Sequence, residues 1–250
     1  MLKDLNFVYF IDNNKDNLEM IKKSVETLIR FYEIHLLTIF YEDKSIEDIL
    51  KEYIEELKNK YNKNFDLQFK YIDTKIASMI LKPKNAINNI YLGNNALIRF
   101  FLPYLLDCEN AYWVDNDILF NKNYSQKLKN IDQKTTLMKC WYGHSKCGAY
   151  FNNGFMYINC KMWRNMSDIM VNILNYYLEN HDDIKFMNQS CYKYLITEKY
   201  KNLCIVENDE LINVFVDQNT IIDKNAHIFH GCGRAYKLDK INNCFNQIVE

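Results

Sequence analysis

The segment Tyr112-Trp113-Val114-Asp115-Asn116-Asp117-Ile118-Leu119-Phe120 sets two carboxylates two residues apart inside a strongly apolar stretch. Burying two anions this close is unfavourable unless a cation neutralises them, and a divalent metal is the simplest such cation. On a continuing strand both side chains would share one face, because strand side chains alternate with period two. Asp-Asn-Asp is also good turn chemistry, so the pattern alone leaves a solvated turn open. A second candidate is His230 in Ile228-Phe229-His230-Gly231-Cys232-Gly233-Arg234, where a strand-like run meets two glycines. Alternation puts Ala226, Ile228 and His230 on one face and His227 with Phe229 on the other, and the glycines favour His230 as the one facing a crevice. Two carboxylates and an imidazole leave positions for phosphate oxygens, and the mixed oxygen and nitrogen set suits Mn²⁺ better than a pure oxygen site would. Arg234 and Lys237 are placed to neutralise a diphosphate.

Such groups need a frame. Phe7 to Ile11 is a continuous apolar run ending in Asp12-Asn13-Asn14, which predicts a strand buried on both faces and then a polar turn. Leu18, Ile21, Val25, Leu28 and Ile29 follow at helical spacing. Ile34 to Tyr41 predicts a second strand, and Ser45 with Asp48 supplies a capping signal for a helix carrying Ile46, Ile49, Tyr53, Ile54 and Leu57. Phe65 to Ile72 predicts a third strand, and Ala96 to Leu106 a helix that Pro103 ends or kinks. Ala111 to Val114 is a short strand running into the acidic pair. Phe151 to Cys160 predicts a strand entered through a polar turn, Trp163 to Tyr177 and Lys185 to Leu195 predict helices, and Ala226 to His230 predicts a last strand. Strands alternating with helices predict an α/β domain with a largely parallel sheet. In such sheets ligands bind beyond the carboxyl ends of the strands, where Asp12 to Asn14 and Asp115 to Asp117 fall.

The 250 residues carry 31 Lys plus Arg against 32 Asp plus Glu, a formal charge of -1 that provides no electrostatic handle for nucleic acid or anionic lipid. With 48% apolar residues, 2 Pro and 6 Gly, the chain reads as one globular domain without repeats or linkers. The eight cysteines show no C-x-x-C pair or zinc-finger spacing and read as reduced cytoplasmic thiols. No window approaches the roughly 20 apolar residues of a membrane span, so membrane contact is expected to be peripheral.

Together, and in order, these blocks resemble family 8 of the retaining glycosyltransferases, the family of glycogenin and of bacterial lipooligosaccharide galactosyltransferases. The resemblance runs from about Phe7 to about Lys237. It implies a single GT-A type domain with a Rossmann-like, mostly parallel central sheet flanked by helices, a nucleotide-binding half over about 1–120 and an acceptor and sugar half over about 121–250. It places Asp12 and Asn14 at a uridine, with Ser24 in the following helix, and Arg99 in NALIRFFLPYL (residues 95–105) at the diphosphate. DND becomes the family's D-x-D motif, with Asp115 and Asp117 as metal ligands and Asn116 near the ribose. FNNGFMYINC matches the F-N-x-G block and puts Asn152 and Asn153 in the sugar or acceptor pocket. HGCGRAYK resembles the H-x-x-G-x-x-K block, with His230 as third ligand and Gly233 and Lys237 at the phosphates.

Asn188-Gln189 falls where the family has Asp-Gln, which puts Gln189 beside the donor's anomeric carbon. An amide cannot serve as a carboxylate nucleophile, so Asn188 disfavours a covalent two-step route and leaves a front-face route. Lys237 comes seven residues after His230 rather than six, with Tyr236 at the usual place, which implies a bulge or a weakened phosphate contact. The implied activity is transfer of a hexose, glucose or galactose, from a UDP-sugar donor with Mn²⁺ or Mg²⁺ as cofactor. The acceptor, whether glycan, lipid-linked glycan or protein, and any homo-oligomer stay open. A catalytically silent UDP-sugar-binding protein is the alternative. A metal-dependent phosphohydrolase needs a nucleophilic Asp after the first strand, usually in a D-x-D there, and here Asp12 is followed by two asparagines.

Overall fold

Alternate residues of the first strand feed two different cores, and this sets the layers of the whole molecule. Phe7, Tyr9 and Ile11 belong to one buried cluster while Val8 and Phe10 belong to another. The computed structural model describes residues 4–12, 14–73, 94–145, 148–180, 187–216, 221–231 and 237–249. Its strands are β1 (Asn6–Ile11), β2 (Leu36–Tyr41), β3 (Asp66–Tyr71), β4 (Ala111–Val114), β5 (Ile118–Phe120), β6 (Met138–Ser145), β7 (Gly148–Ile158), β8 (Cys204–Glu207), β9 (Val214–Phe215) and β10 (Ile228–His230). Its α-helices are α1 (Lys15–Phe31), α2 (Lys44–Tyr61), α3 (Asn94–Leu105), α4 (Ser125–Lys129), α5 (Cys160–Asn165), α6 (Ile169–Asn180), α7 (Met187–Tyr194) and α8 (Lys237–Val249).

The strands form one sheet in the order β3-β2-β1-β4-β7-β6-β9-β10-β5, with β8 also paired to β6. Parallel pairings predominate: β1 with β2 and β4, β2 with β3, β6 with β8 and β9, and β9 with β10. The antiparallel pairs are β4 with β7, β6 with β7, and β5 with β10. Helices α1 and α2 cover one face, where Ile21, Val25, Leu28, Ile54 and Leu57 pack on the odd residues of β1. Helices α3, α5, α6 and α7 cover the other, with Phe100, Trp163, Ile173 and Tyr192 against its even residues. A third cluster joins α8 to β5 and β10 through Ile241, Cys244, Leu119 and Phe229. The predicted single α/β domain with a mostly parallel sheet is therefore what forms. Among the described residues, no helix is long and apolar enough to cross a membrane.

Several boundaries differ from the sequence reading. The cap of α2 is Asp43, whose carboxylate accepts from the Ser45 backbone N–H at 2.9 Å; Ser45 itself lies inside the first turn. Pro103 does not end α3, which runs on to Leu105, and Arg164 donates to the carbonyls of Pro103, Leu106 and Cys108 around its end at 2.6, 3.0 and 3.3 Å. The segment expected as one helix from Trp163 breaks at Met166 into α5 and α6. Phe151 is not preceded by a turn into a new strand: β7 starts at Gly148 and forms a hairpin with β6, so Asn152 and Asn153 sit within a strand.

Candidate functional site

Strand β4 carries Asp115 to the carboxyl edge of the parallel strands, and there the chain turns. The Asp115 N–H donates to the Gly154 carbonyl at 2.8 Å, and the Ile118 N–H donates back to the Asp115 carbonyl at 3.1 Å. Residues 115–117 thus form a turn, and β5 leaves it antiparallel to β10. The expectation that a continuing strand would put both carboxylates on one face is corrected: the turn, not period-two alternation, folds them together. His230 ends β10 opposite Ile118, and the Gly231 N–H donates to the Asp117 carbonyl at 2.8 Å. One ligand atom from each of Asp115, Asp117 and His230 lies within 4.8 Å of the other two. His227 is not part of this group; its ring lies tilted against that of Tyr124, 4.7 Å between centroids.

Each of the three side chains is held from behind. Asp117 is only 2% exposed. Its Oδ1 lies 3.4 Å from His230 Nε2 and its Oδ2 2.8 Å from Lys237 Nζ. Burial opposes ionisation of Asp117, but Lys237 and the His230 ring beside it outweigh that and hold the carboxyl far below the usual carboxylate range. Asp115 Oδ1 accepts from Trp113 Nε1 at 2.8 Å and is paired with Arg99 Nη2. Arg99 is 5% exposed, stacks 4.5 Å from the centroid of the Trp113 ring, and donates from Nη1 to the Asn153 carbonyl at 3.0 Å. His230 Nδ1 meets Asn213 Oδ1 at 2.8 Å. Two carboxylate oxygens and one imidazole nitrogen converging on one point fit a divalent ion that accepts both atom types.

The other predicted residues differ in their local contacts. Asn14 caps α1 by accepting from the Asp16 N–H at 2.9 Å, and Asp12 Oδ1 accepts from the Asn14 N–H and from Asn17 Nδ2 at 3.1 and 2.6 Å. Ser24 is buried and shares a 2.9 Å hydrogen bond with Tyr9. Asn116 Oδ1 is buried without a partner among the described residues, as is Asn153 Nδ2. Asn152 Oδ1 accepts from the Gly154 N–H at 2.7 Å and from Asn213 Nδ2 at 3.3 Å. Gln189, on α7, donates from Nε2 to the Phe151 carbonyl, next to that asparagine pair. Asn188 lies in the same helix. Gly233, with Arg234 and Tyr236, lies outside the described residues. The one-residue displacement of Lys237 does not carry it away, since it opens α8 and reaches Asp117.

Sequence reasoning missed three groups at this centre. Trp113 reads in the sequence only as part of an apolar stretch, yet its indole Nε1 donates to Asp115 Oδ1 across the end of β4. Gly154 approaches the ligands so closely that a Cβ there would lie 2.5 Å from His230 Cε1 and 3.0 Å from Asp115 Oδ2. Asn213 carried no motif at all. A separate cavity of about 470 Å³ opens at the amino ends of β1 and β2, lined by Asp4, Asn6, His35 and Glu109 among others. Its rim acids Asp107 and Glu109 are already paired with Lys70 and Lys161, and it holds none of the predicted site residues.

No family model and no curated protein sequence matches the chain. Solved structures do. The chain is similar to the galactosyltransferase LgtC solved with donor and acceptor sugar analogues, at 16% identity and a TM-score of 0.68 over 98% of this chain and 97% of that one. It is also similar to the apo form of the glycosyltransferase GlyE of Streptococcus pneumoniae TIGR4, at 15% identity and a TM-score of 0.63 over 93% of this chain and 55% of that one. The bifunctional glycosyltransferase WbbM matches at 11% identity and a TM-score of 0.62 over 96% and 49%. This chain spans about half the length of GlyE and WbbM. These likenesses show the fold.

Proposed function

We propose that this chain, built on the fold of the GT-A type glycosyltransferases, is a family 8 retaining enzyme that moves a hexose, glucose or galactose, from a UDP-sugar to an acceptor hydroxyl. The observation that carries the proposal is the convergence of Asp115, Asp117 and His230 within 4.8 Å at the carboxyl end of the sheet. These three residues would hold a divalent cation, Mn²⁺ ahead of Mg²⁺ because one ligand is an imidazole. Such an ion, when bound, supplies positive charge opposite a diphosphate leaving group.

The chain's own residues do the rest. Breaking the bond between the anomeric carbon and the diphosphate oxygen builds negative charge on that oxygen, and Lys237, beside Asp117, stands where it can stabilise it. Arg99 is committed to Asp115 and to the Asn153 carbonyl, so its contribution to the diphosphate passes through the orientation of Asp115. Asn116 Oδ1 and Asn153 Nδ2, each without a partner among the described residues, can respectively accept from a ribose hydroxyl and donate to a sugar hydroxyl. Gln189, anchored on Phe151, borders the same space. Asn188 offers no carboxylate, which supports a front-face route in which the departing diphosphate takes the proton of the acceptor hydroxyl. Roles for Asp12 and Asn14 at the uridine and Gly233 at the phosphates belong to the same proposal. So does the division into a nucleotide-binding half (1–120) and an acceptor half (121–250). A cytoplasmic site of action is supported by six described cysteines that are free thiols.

The test is a donor screen with Mn²⁺ that measures UDP released from the glucose, galactose, N-acetylglucosamine and xylose nucleotides. One donor is expected to react in the wild type and none in Asp117→Ala, with circular dichroism unchanged. Full turnover by Asp117→Ala removes the metal site from the mechanism. Asn188 favours one further reading, a silent UDP-sugar-binding protein; nucleotide binding by calorimetry with no donor consumed would select it.

A further inference from the structure

We propose that Asn213 is the positioning residue of the metal centre, fixing His230 as a ligand through Nε2. This rests on the metal reading above and deepens it. Asn213 is fully buried. Which end of its amide points where is settled by two backbone groups that have only one role each. The Trp141 carbonyl can only accept, so the atom 3.3 Å from it is Asn213 Nδ2. The Gly154 N–H can only donate, so the Asn152 atom 2.7 Å from it is Oδ1, and that oxygen accepts from the same Asn213 Nδ2 at 3.3 Å. Asn213 Oδ1 is thereby left facing His230 Nδ1 at 2.8 Å. An acceptor there requires the proton on Nδ1, which leaves the Nε2 lone pair aimed at Asp117 and the ligand group.

The backbone supports the same assignment. Asn213 sits at φ 59, in the left-handed region where asparagine is tolerated better than other residues with a side chain. A turn closed by the Leu211 N–H on Asp209 Oδ1 at 3.1 Å and by the Ile212 N–H on the Asp209 carbonyl at 3.0 Å leads into it. The position thus combines a short amide with a conformation that few side chains accept. The relay also ties the F-N-N-G block to the metal: Asn152 acts on His230 through Asn213.

The experiment titrates the full-length protein with Mn²⁺ alone and reads the free ion by electron paramagnetic resonance. Asn213→Ala is expected to weaken binding on the order of 10- to 100-fold. Asn213→Asp keeps the acceptor facing Nδ1 and tolerates the backbone but loses the donors to the Trp141 carbonyl and Asn152 Oδ1, and is expected to restore part of that loss. Equal affinities for wild type, Asn213→Ala and Asn213→Asp would overturn the inference while leaving the metal reading intact. Failure of the wild type to take up Mn²⁺ would overturn the metal reading and this inference with it. Should Asn213→Ala not fold, ¹⁵N-histidine spectra of the wild type loaded with diamagnetic Cd²⁺ decide the matter. A proton on Nδ1 with the metal on Nε2 supports the assignment; the reverse arrangement defeats it.

Discussion

Replacing Gly154 with alanine adds one methyl group at the point where the site is tightest. The new Cβ would lie 2.5 Å from His230 Cε1, 3.0 Å from Asn152 Oδ1 and 3.0 Å from Asp115 Oδ2. Ordinary carbon contacts begin near 3.5 Å, so the imidazole must retreat by about 1 Å. It has nowhere soft to go: His230 is 3% exposed and tied to Asn213, and the neighbouring Phe215 ring stands 5.1 Å away in an edge contact. Metal ligands tolerate errors of about 0.2 Å, so a shift several times larger removes His230 from the coordination set. The overpacking itself costs about 1–3 kcal/mol, and at this chain length each kcal/mol lowers Tm by about 2–4 °C. The expected result is a protein that melts a few degrees lower, retains its circular dichroism, and has lost Mn²⁺ binding and UDP release together. Calorimetry with Mn²⁺, paired with thermal melts, checks it. An alanine variant that binds Mn²⁺ like the wild type would refute the crowding argument and with it the geometry of the centre.

Three other outcomes test the frame. Asp43→Ala should cost about 1 kcal/mol as a lost helix cap, and the loss should exceed that of Ser45→Ala, as denaturant melts of both would show. Arg164→Ala strips three carbonyls around the end of α3 of their donor and should destabilise by about 1–3 kcal/mol, read as a drop in Tm. Glu26 is half-buried; burial raises its pKa, but Lys60, Tyr53 and Tyr61 overcome this and hold it below 4.5. A depressed folded value means its contribution is complete above 4.5 and is lost as pH falls through the lower folded value. Glu26→Gln should therefore lower stability at neutral pH and flatten the acid limb between those two points, measured by urea midpoints against pH.

The cluster of Asp115, Asp117 and His230 could be read from sequence because the two acids interrupt an apolar run and the histidine ends one before a pair of glycines, and polar groups so placed demand an explanation. The helices α1 and α2 were legible because their apolar residues repeat at one helical period, and β1 because its apolar run is unbroken. The strands β5, β8 and β9 were not: they run three, four and two residues, too short for any period to emerge. β6, with Trp141 and Gly143 in MKCWYGHS, shows no clean alternation. Asn213 could not be found this way. Its partners are one backbone carbonyl and two side chains brought together only by tertiary structure, and in Leu211-Ile212-Asn213-Val214 it reads as an isolated polar residue.

The placement of β10 governs when the site can exist. Among the described residues β5 pairs only with β10, and β10 enters between β5 and β9 from far downstream in the chain. A nascent polypeptide leaving the ribosome displays both aspartates well before His230 is synthesised. Until then the acidic turn has no imidazole, and the short strand after it has no neighbour to register against. The three-residue cluster of Asp115, Asp117 and His230 is thus completed only late in synthesis.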